Sequence, residues 1–298
     1  MTYSIVACDE LTGELGAAVQ TRWLAVGSVV PWVRPGVGAI ATQSFVEPRY
    51  GYEGLRLLAD GRSPAETLAE LLGADRDPGV RQVGIVDAAG RTAAHTGADC
   101  VAAAGHAMAP GVSVQANMME RPTVWPAMLR AFQEGDGDLA DRLMAALRAA
   151  ESEGGDVRGR QSAAMVVVPG RADAKPWDIR FDLRADDARA PLDELGRLLA
   201  LNRGYEALDR AIEATAAGER TAALAFFEEA VAHAPGDDQL VLWLSLAVFD
   251  SGDEARGRRL YREALAAEPR SGEHLRRFVA AGQLPGAERL VAALTAEG

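Results

Sequence analysis

Cysteine, lysine and histidine are scarce in this 298-residue sequence, and each shortage excludes a class of site. With only Cys8 and Cys100, the chain has neither a disulfide framework nor a cysteine-based metal site. Lys175 is the only lysine, so a catalytic lysine elsewhere is excluded. No metal-ligand spacing links the four histidines, which are His95, His106, His233 and His274. We therefore expect a chain that uses no metal and no organic cofactor.

Long apolar runs are absent too, although 48% of the residues are hydrophobic. No run reaches the ~20 residues that span a bilayer, and the first fifteen residues lack the basic and apolar regions of a secretory signal. The 31 basic and 43 acidic side chains give a formal net charge of −12, with no basic face for nucleic acid. We expect a reduced, cytoplasmic protein of about two domains, with no nucleic-acid or membrane partner.

Apolar patterning and turn signals predict strands and helices in alternating groups through the first 185 residues. The predicted strands are Tyr3–Ala7, Leu15–Gln20, Gly38–Thr42, Gln82–Asp87, Thr92–His95, Val112–Ala116, 163–168 and Ile179–Leu183. The predicted helices form two pairs, at 52–58 with 64–72 and at 125–132 with 139–147, and Ser63 is placed as an N-cap. Because each pair must bury an apolar face, we expect two stacked sheets between two helical layers; a two-layer α+β domain is the alternative.

The last third of the chain reads as wholly helical and repeats with a period of 34 residues. Gly218, Ala223, Phe227, Ala230 and Pro235 recur as Gly252, Gly257, Tyr261, Ala264 and Pro269, and Gly286 falls another 34 residues on. This period and residue set resemble the tetratricopeptide repeat, a helix–turn–helix unit. We expect an α+β domain at residues 1–185, a linker and helix at 186–203, and an all-α repeat region at 204–298.

Thr2 is the one residue whose position suggests chemistry without a longer motif. The sequence has no GxGxxG after a strand, no P-loop, no HExxH and no GxSxG. A small second residue permits removal of Met1, which would give Thr2 a free α-amine of pKa ~7.7–8.0 beside its hydroxyl. Thr2 would then supply nucleophile and base together. The alternative is that threonine is simply commonplace after a start codon.

Several segments resemble a known bacterial family. They are TYSIVACDELTGELGAAV, LAVGSVVPWVRPGVGAIATQSFVEPRYG, RQVGIVDAAGRTAAHTG, VQANMM and GGDVRGRQSAAM. Together they are similar to the domain of unknown function 1028, assigned to the N-terminal nucleophile (Ntn) hydrolase fold, from residue 2 to about 185. The resemblance implies an α+β, four-layer αββα sandwich. It also implies an amide hydrolase that acts on a small amide or peptide through Thr2 after Met1 is removed.

A more distant similarity to proteasome-like β subunits implies roles for other residues. Asp156 and Ser162 would orient the N-terminus, and backbone N–H groups of the corner formed by Thr42, Gln43 and Ser44 would hold the oxyanion. This sequence departs from that pattern, because the corner lacks glycine and the first stretch lacks lysine. Ser28 or Arg22 would then have to set the local field.

Other polar residues each have two readings. Asn117, at a strand end, is either an oxyanion donor or a residue that ties a turn. Arg158, Arg160 and Gln161, in a glycine-rich loop, either bind a substrate carboxylate or are solvated. Arg49 lies at the expected mouth of the site, as a specificity residue or a helix-entry clamp. Ser44 is a rival nucleophile, although no nearby histidine is implied.

A non-catalytic function is the second hypothesis. In that case the protein uses the Ntn fold and the repeat tail to bind or scaffold protein partners, since the concave faces of such repeats commonly hold peptide segments. A homo-oligomer is expected under either hypothesis.

Overall fold

The structure is a computed structural model that describes residues 2–283 and 288–295. The chain divides into two compact units between Arg197 and Leu198. This division lies inside a long helix, α5 (Pro191–Ala216). The division predicted from the sequence, at 1–185, 186–203 and 204–298, stays a prediction, and Gly286 lies outside the described residues.

The N-terminal unit contains two antiparallel sheets. The strands of one are β1 (Thr2–Cys8), β2 (Leu15–Thr21), β7 (Gly105–Ala109), β8 (Val112–Asn117), β9 (Ser162–Val168) and β10 (Phe181–Ala185), in the order β10-β9-β2-β1-β8-β7. The strands of the other are β3 (Pro31–Arg34), β4 (Gly38–Ser44), β5 (Arg81–Asp87) and β6 (Thr92–Thr96), in the order β3-β4-β5-β6. Each predicted strand overlaps an observed one, whereas β3 and β7 were not predicted.

The two sheets face each other, and the strand alternation decides which side chains lie between them. Val6 and Cys8 of β1 pack in one cluster with Ala39, Ala41 and Val86 of the smaller sheet. Because side chains alternate along a strand, the even-numbered residues of β1, which include Thr2, point toward the second sheet. The odd-numbered residues of β1 point outward, toward the helices.

A pair of helices lies on the outer face of each sheet. Helices α1 (Pro48–Ala59) and α2 (Pro64–Gly73) pack on the four-stranded sheet. Helices α3 (Val124–Glu134) and α4 (Leu139–Ser152) pack on the six-stranded sheet. The predicted N-cap is confirmed, since Ser63 Oγ accepts from the Glu66 backbone N–H and the Glu66 side chain accepts from the Ser63 N–H.

The C-terminal unit is all-helical in its described residues. Beyond α5 it contains α6 (Arg220–His233), α7 (Asp238–Asp250), α8 (Glu254–Ala267), α9 (Ser271–Ala280) and α10 (Glu288–Thr295). The repeated positions Phe227 and Tyr261 are buried. Gly257 meets a neighbouring helix so closely that an added Cβ would lie 2.7 Å from the Phe249 Cβ.

No described helix, α5 included, combines the length and the apolar character that a membrane crossing requires.

Candidate active site

Thr2 lies at one end of the six-stranded sheet, on an inner strand. It pairs with Thr21 on one side and with Asn117 on the other. Only 4% of Thr2 is exposed, and its Oγ1 lies 3.0 Å from Thr21 Oγ1. The Thr2 hydroxyl is therefore a buried, hydrogen-bonded group in the space between the sheets.

Three side-chain amides gather around Thr2, from three different strands. Gln43 Nε2 donates to the Thr2 carbonyl oxygen at 3.0 Å and to Gln82 Oε1 at 2.7 Å. Asn117 Nδ2 donates to Gln82 Oε1 at 2.8 Å and lies 3.4 Å from the Thr2 carbonyl oxygen. Two amide donors thus converge on the Thr2 carbonyl oxygen, and these hydrogen bonds fix the backbone that carries the Thr2 hydroxyl.

The polar cluster continues inward along the same face. Ser4 Oγ donates to Gln43 Oε1 at 2.6 Å and accepts from Gln115 Nε2 at 2.7 Å. Gly84, opposite, leaves the room that this arrangement needs, because an added Cβ would lie 2.1 Å from Gln115 Oε1. Buried polar side chains are stable here because nearly all of them are paired.

One polar atom of this cluster is unpaired. Asn117 Oδ1 is buried and has no hydrogen-bond partner among the described residues. An unpaired buried acceptor costs about 1–3 kcal/mol, and it can accept a hydrogen bond from an amine, a hydroxyl or a water. Asn117 therefore offers an acceptor in the polar cluster beside Thr2.

Asp156 lies on a segment that closes the end of β1. This segment forms a β-bridge between Asp156 and Met119, beyond β8, while Asp156 Oδ2 accepts from the Arg22 N–H, beyond β2, at 3.2 Å. It thus joins the two strands that flank β1, just past the pairing of Thr2. The Asp156 carboxylate is buried and is also held by Arg158 Nη2 at 2.7 Å.

Ser162 begins β9, the strand on the far side of β2 from Thr2. It pairs with Thr21, one strand beyond Thr2. Its hydroxyl donates to the Trp23 carbonyl oxygen at 2.6 Å and accepts from the Val26 N–H at 3.1 Å. Ser162 therefore fixes the backbone of the loop that follows β2.

Two other predicted site residues lie on the helix side of the smaller sheet. Ile40 belongs to the cluster formed with α1 and α2, so Thr42, with the same parity, faces away from Thr2. The Thr42 N–H donates to the Val30 carbonyl oxygen at 3.1 Å. Arg49 is exposed, and its Nη2 donates to the Ala74 carbonyl oxygen at 3.4 Å. The structure brings Gln43 to Thr2, but not Thr42 or Arg49.

Backbone strain is concentrated at the same edge of the sheets. Ala25, Ser44 and Met118 are non-glycine residues with positive φ, at 51°, 71° and 56°. Ser44 ends β4, Met118 follows β8, and Ala25 lies in the loop after β2. Such strain clusters at functional sites, but nothing in the sequence signals it, since none of these residues is typical of left-handed backbone.

His106 reaches the amide cluster through one hydroxyl, a link that the sequence did not suggest. Gln82 Nε2 donates to Thr96 Oγ1 at 3.0 Å, and Thr96 Oγ1 lies 2.9 Å from His106 Nδ1. Burial, followed by the nearby His95, lowers the pKa of His106. The imidazole is therefore neutral at pH 7, and it takes part in this network through the hydrogen bond of Nδ1.

Tyr3 shows that the outward face of β1 has a different chemistry. Its hydroxyl donates to Glu151 of α4 at 2.6 Å, and burial, with the Glu151 carboxylate second, raises the pKa of Tyr3 well above its usual value. Tyr3 therefore remains a neutral donor on the helix side.

Arg160 and Gln161 line a cleft of about 480 Å³ at this end of the unit. Gln161 is tied to the site by its N–H, which donates to the Thr21 carbonyl oxygen at 2.9 Å. Across residues 2–283 and 288–295, no group of three or more His, Cys, Asp and Glu side chains is arranged to hold a metal ion.

Comparisons with known proteins agree on the family. The model described as a family of unknown function, DUF1028, matches residues 2–195, so the chain belongs to this family. The crystal structure of protein SPO2555 from Silicibacter pomeroyi, also assigned to DUF1028, is 32% identical with a TM-score of 0.60. The match covers 66% of this chain and 87% of that one. A search of curated proteins finds no match.

Proposed function

We propose that the N-terminal unit is an Ntn-type amide hydrolase that cleaves a small amide or peptide through Thr2 once Met1 is removed. The observation that carries the proposal is the position of Thr2. It is a hydroxyl-bearing residue at the start of an inner strand, buried between two sheets, with amide donors from Gln43 and Asn117 beside it. The order of layers, a helix pair outside each of two facing sheets, supports the αββα sandwich of the Ntn fold.

The reaction begins with proton transfer within Thr2. Its free α-amine takes the proton of Oγ1, and Oγ1 attacks the substrate carbonyl carbon. The oxyanion is stabilised by an amide donor beside Thr2. Asn117 Nδ2 is the donor most easily released for this task, because its hydrogen bond to the Thr2 carbonyl oxygen is long, at 3.4 Å, whereas the Thr42 N–H is bound to the Val30 carbonyl oxygen at 3.1 Å. The Thr2 amine then gives its proton to the leaving amine, and a water releases the acyl group from the ester.

Asp156 is proposed to orient the amine. The segment that contains it closes the end of β1, so the amine created by loss of Met1 would face this buried carboxylate. A carboxylate there stabilises the ammonium form that arises during attack. The unpaired Asn117 Oδ1 is a second acceptor for the same N–H groups.

Mass spectrometry and a matched set of variants test this function. Wild-type protein should lack Met1 and gain the mass of one threonine-directed β-lactone. Thr2→Ala should show neither labelling nor amide hydrolysis, Thr2→Ser should keep part of both, and Thr221→Ala, exposed on α6, should behave as wild type. Activity in Thr2→Ala, or in protein whose amine is blocked by an N-terminal tag, would rule out Thr2 and turn attention to Ser44.

The C-terminal unit supports the second candidate, a scaffold for protein partners. Burial of Phe227 and Tyr261 and the close approach at Gly257 fit a tetratricopeptide-like repeat. A scaffold would bind its partner equally well in wild type and Thr2→Ala.

We further propose a cytoplasmic homo-oligomer. Trp23 and Phe45, which are 67% and 60% exposed, are the kind of apolar surface that subunits cover. Light scattering on wild type and on Trp23→Ser measures the oligomeric state of each, and a monomeric wild type would contradict the proposed homo-oligomer.

A further inference from the structure

The cleft that contains Arg160 and Gln161 is unusually cationic for an acidic protein. Its lining, called here the arginine cleft, consists of Arg22, Arg158, Gly159, Arg160, Gln161, Asp187, Ala188 and Arg189. Four of these eight residues are arginines, from three separate segments, although the formal net charge of the chain is −12. The one carboxylate in the lining, Asp187, accepts from Gln161 Nε2 at 3.1 Å. A concave site with an excess of one sign of charge concentrates ligands of the opposite sign.

The four guanidinium groups are not equally engaged. Arg158 is bound to the buried Asp156, and Arg160 Nη1 lies 3.5 Å from Glu151 Oε2. Arg22 Nη1 donates to Gln161 Oε1 at 2.6 Å, which orients it without neutralising it. Within the described residues, no carboxylate lies within ion-pair distance of Arg22 or Arg189. The cleft therefore contains two exposed cations whose charge is available to a ligand.

The arginine cleft is connected to Thr2 through the backbone. Arg22 directly follows Thr21, whose hydroxyl contacts Thr2 Oγ1, and the Arg22 N–H is bound by Asp156. The Gln161 N–H donates to the Thr21 carbonyl oxygen. A ligand in the cleft is thus held by residues next to those that surround the nucleophile.

We propose that the arginine cleft binds the carboxylate of an anionic amide, with Arg22 and Arg189 as its principal ligands. The substrate class is then a short peptide with a free C-terminus or an N-acyl amino acid. Guanidinium groups suit this task because their planar N–H forks match a carboxylate in a bidentate way. That this anion is a substrate rests on the proposed function, whereas its binding to the arginine cleft does not.

Binding is measured by calorimetry on the full-length Thr2→Ala protein, which cannot turn the probe over. The probes are N-acetylglycine, its neutral analogue N-acetylglycinamide, and inorganic phosphate. N-acetylglycine should bind, and the neutral analogue should bind at least about tenfold more weakly because a charge-assisted hydrogen bond contributes about 1.5–3 kcal/mol. Arg22→Gln and Arg189→Gln should each weaken N-acetylglycine binding by about tenfold. Arg76→Gln, exposed and outside the cleft, should leave it unchanged.

Three results would overturn the assignment. They are equal binding of the neutral and anionic probes, unchanged binding after Arg22→Gln with Arg189→Gln, and binding of phosphate without N-acetylglycine. The last would make the cleft a phosphate site. Anion binding by a protein that proves inactive would retain the cleft and remove only the hydrolase, so the two proposals fail separately.

Discussion

At the scale of single residues, Asp75 and Arg81 hold a loop of the candidate site in place. Arg81 Nε lies 2.8 Å from Asp75 Oδ2, and Arg81 Nη1 donates to the Phe45 carbonyl oxygen at 2.7 Å. Phe45 follows Ser44, so this ion pair fixes the backbone at the edge of the site. The hydrogen bond from Arg81 outweighs burial and lowers the pKa of Asp75 to about 2.

The lowered pKa of Asp75 predicts how stability depends on pH. The ionised carboxylate stabilises the folded state above its unfolded pKa of about 3.9, and this contribution is lost as pH falls toward about 2. Asp75→Asn should lower the unfolding free energy at pH 7 by about 2 kcal/mol and reduce the loss of stability between pH 4 and pH 2. Urea denaturation across that range measures both.

Asp173→Asn is the control for Asp75, because Asp173 forms an exposed pair with Arg171. It should change stability by less than about 1 kcal/mol. An equal loss of unfolding free energy between pH 4 and pH 2 in Asp75→Asn and in wild type would contradict the role given to Asp75.

Gly84 provides a second prediction at this scale. Gly84→Ala should lower the unfolding free energy by about 1–3 kcal/mol, because the new methyl group would displace Gln115 from its buried hydrogen bonds. Gly73→Ala is the matched control, since an added Cβ there meets nothing within 4 Å. Thermal unfolding compares them, and equal melting temperatures would contradict the packing described for Gln115.

The sequence predicted some site residues and could not predict how they meet. Thr2 was singled out because its position alone has a chemical meaning, and Gln43 was singled out through the distant similarity to proteasome-like β subunits. Gln82 and Gln115 were missed because a polar residue in an apolar strand normally marks the solvent face. Only the stacking of the two sheets turns these positions toward each other, and that stacking is not encoded in either strand alone.

At the scale of elements, the prediction succeeded where local patterning is strong. Strands such as β1 and β9 consist of apolar runs with clear turn signals, and Ser63-Pro64 marks the start of α2. Strand β3 has only four residues and begins with Pro31, while β7 contains Gly105, His106 and an exposed Met108. The sequence pattern of these two strands is too weak to predict them. Each is held extended by pairing with a neighbouring strand, β4 for β3 and β8 for β7.

The N-cap of α2 gives an element-scale prediction. Ser63→Ala should lower the unfolding free energy by about 1 kcal/mol, because the Glu66 N–H loses its partner. Glu219→Ala should have a smaller effect, since Glu219 is exposed and precedes α6 without a capping hydrogen bond from its side chain. Chemical denaturation of both variants tests this, and an equal loss would contradict the capping role.

At the scale of the whole molecule, the two compact units should respond separately to core damage. Leu143→Ala removes a fully buried side chain of the first unit, and Phe227→Ala removes a side chain of the second unit that is only 7% exposed. Each should cost about 2–5 kcal/mol of local stability. Hydrogen exchange should show faster opening in the altered unit, and faster exchange spread equally over both units would contradict their separate cores.

The pairing of β1 with β2 gives the candidate site an unusual kind of fragility. Thr2 faces Thr21 because Cys8 faces Leu15 across a turn of fixed length. Strand side chains alternate, so a shift of one residue would turn Thr2 toward the helices and present Tyr3 between the sheets. The site therefore depends on the number of residues in this turn. Over evolution, the turn should keep its length, together with Asp9, whose carboxylate accepts from the Leu11 and Thr12 N–H groups, and Gly13, whose φ is 73°, while the exposed Glu10 should vary freely.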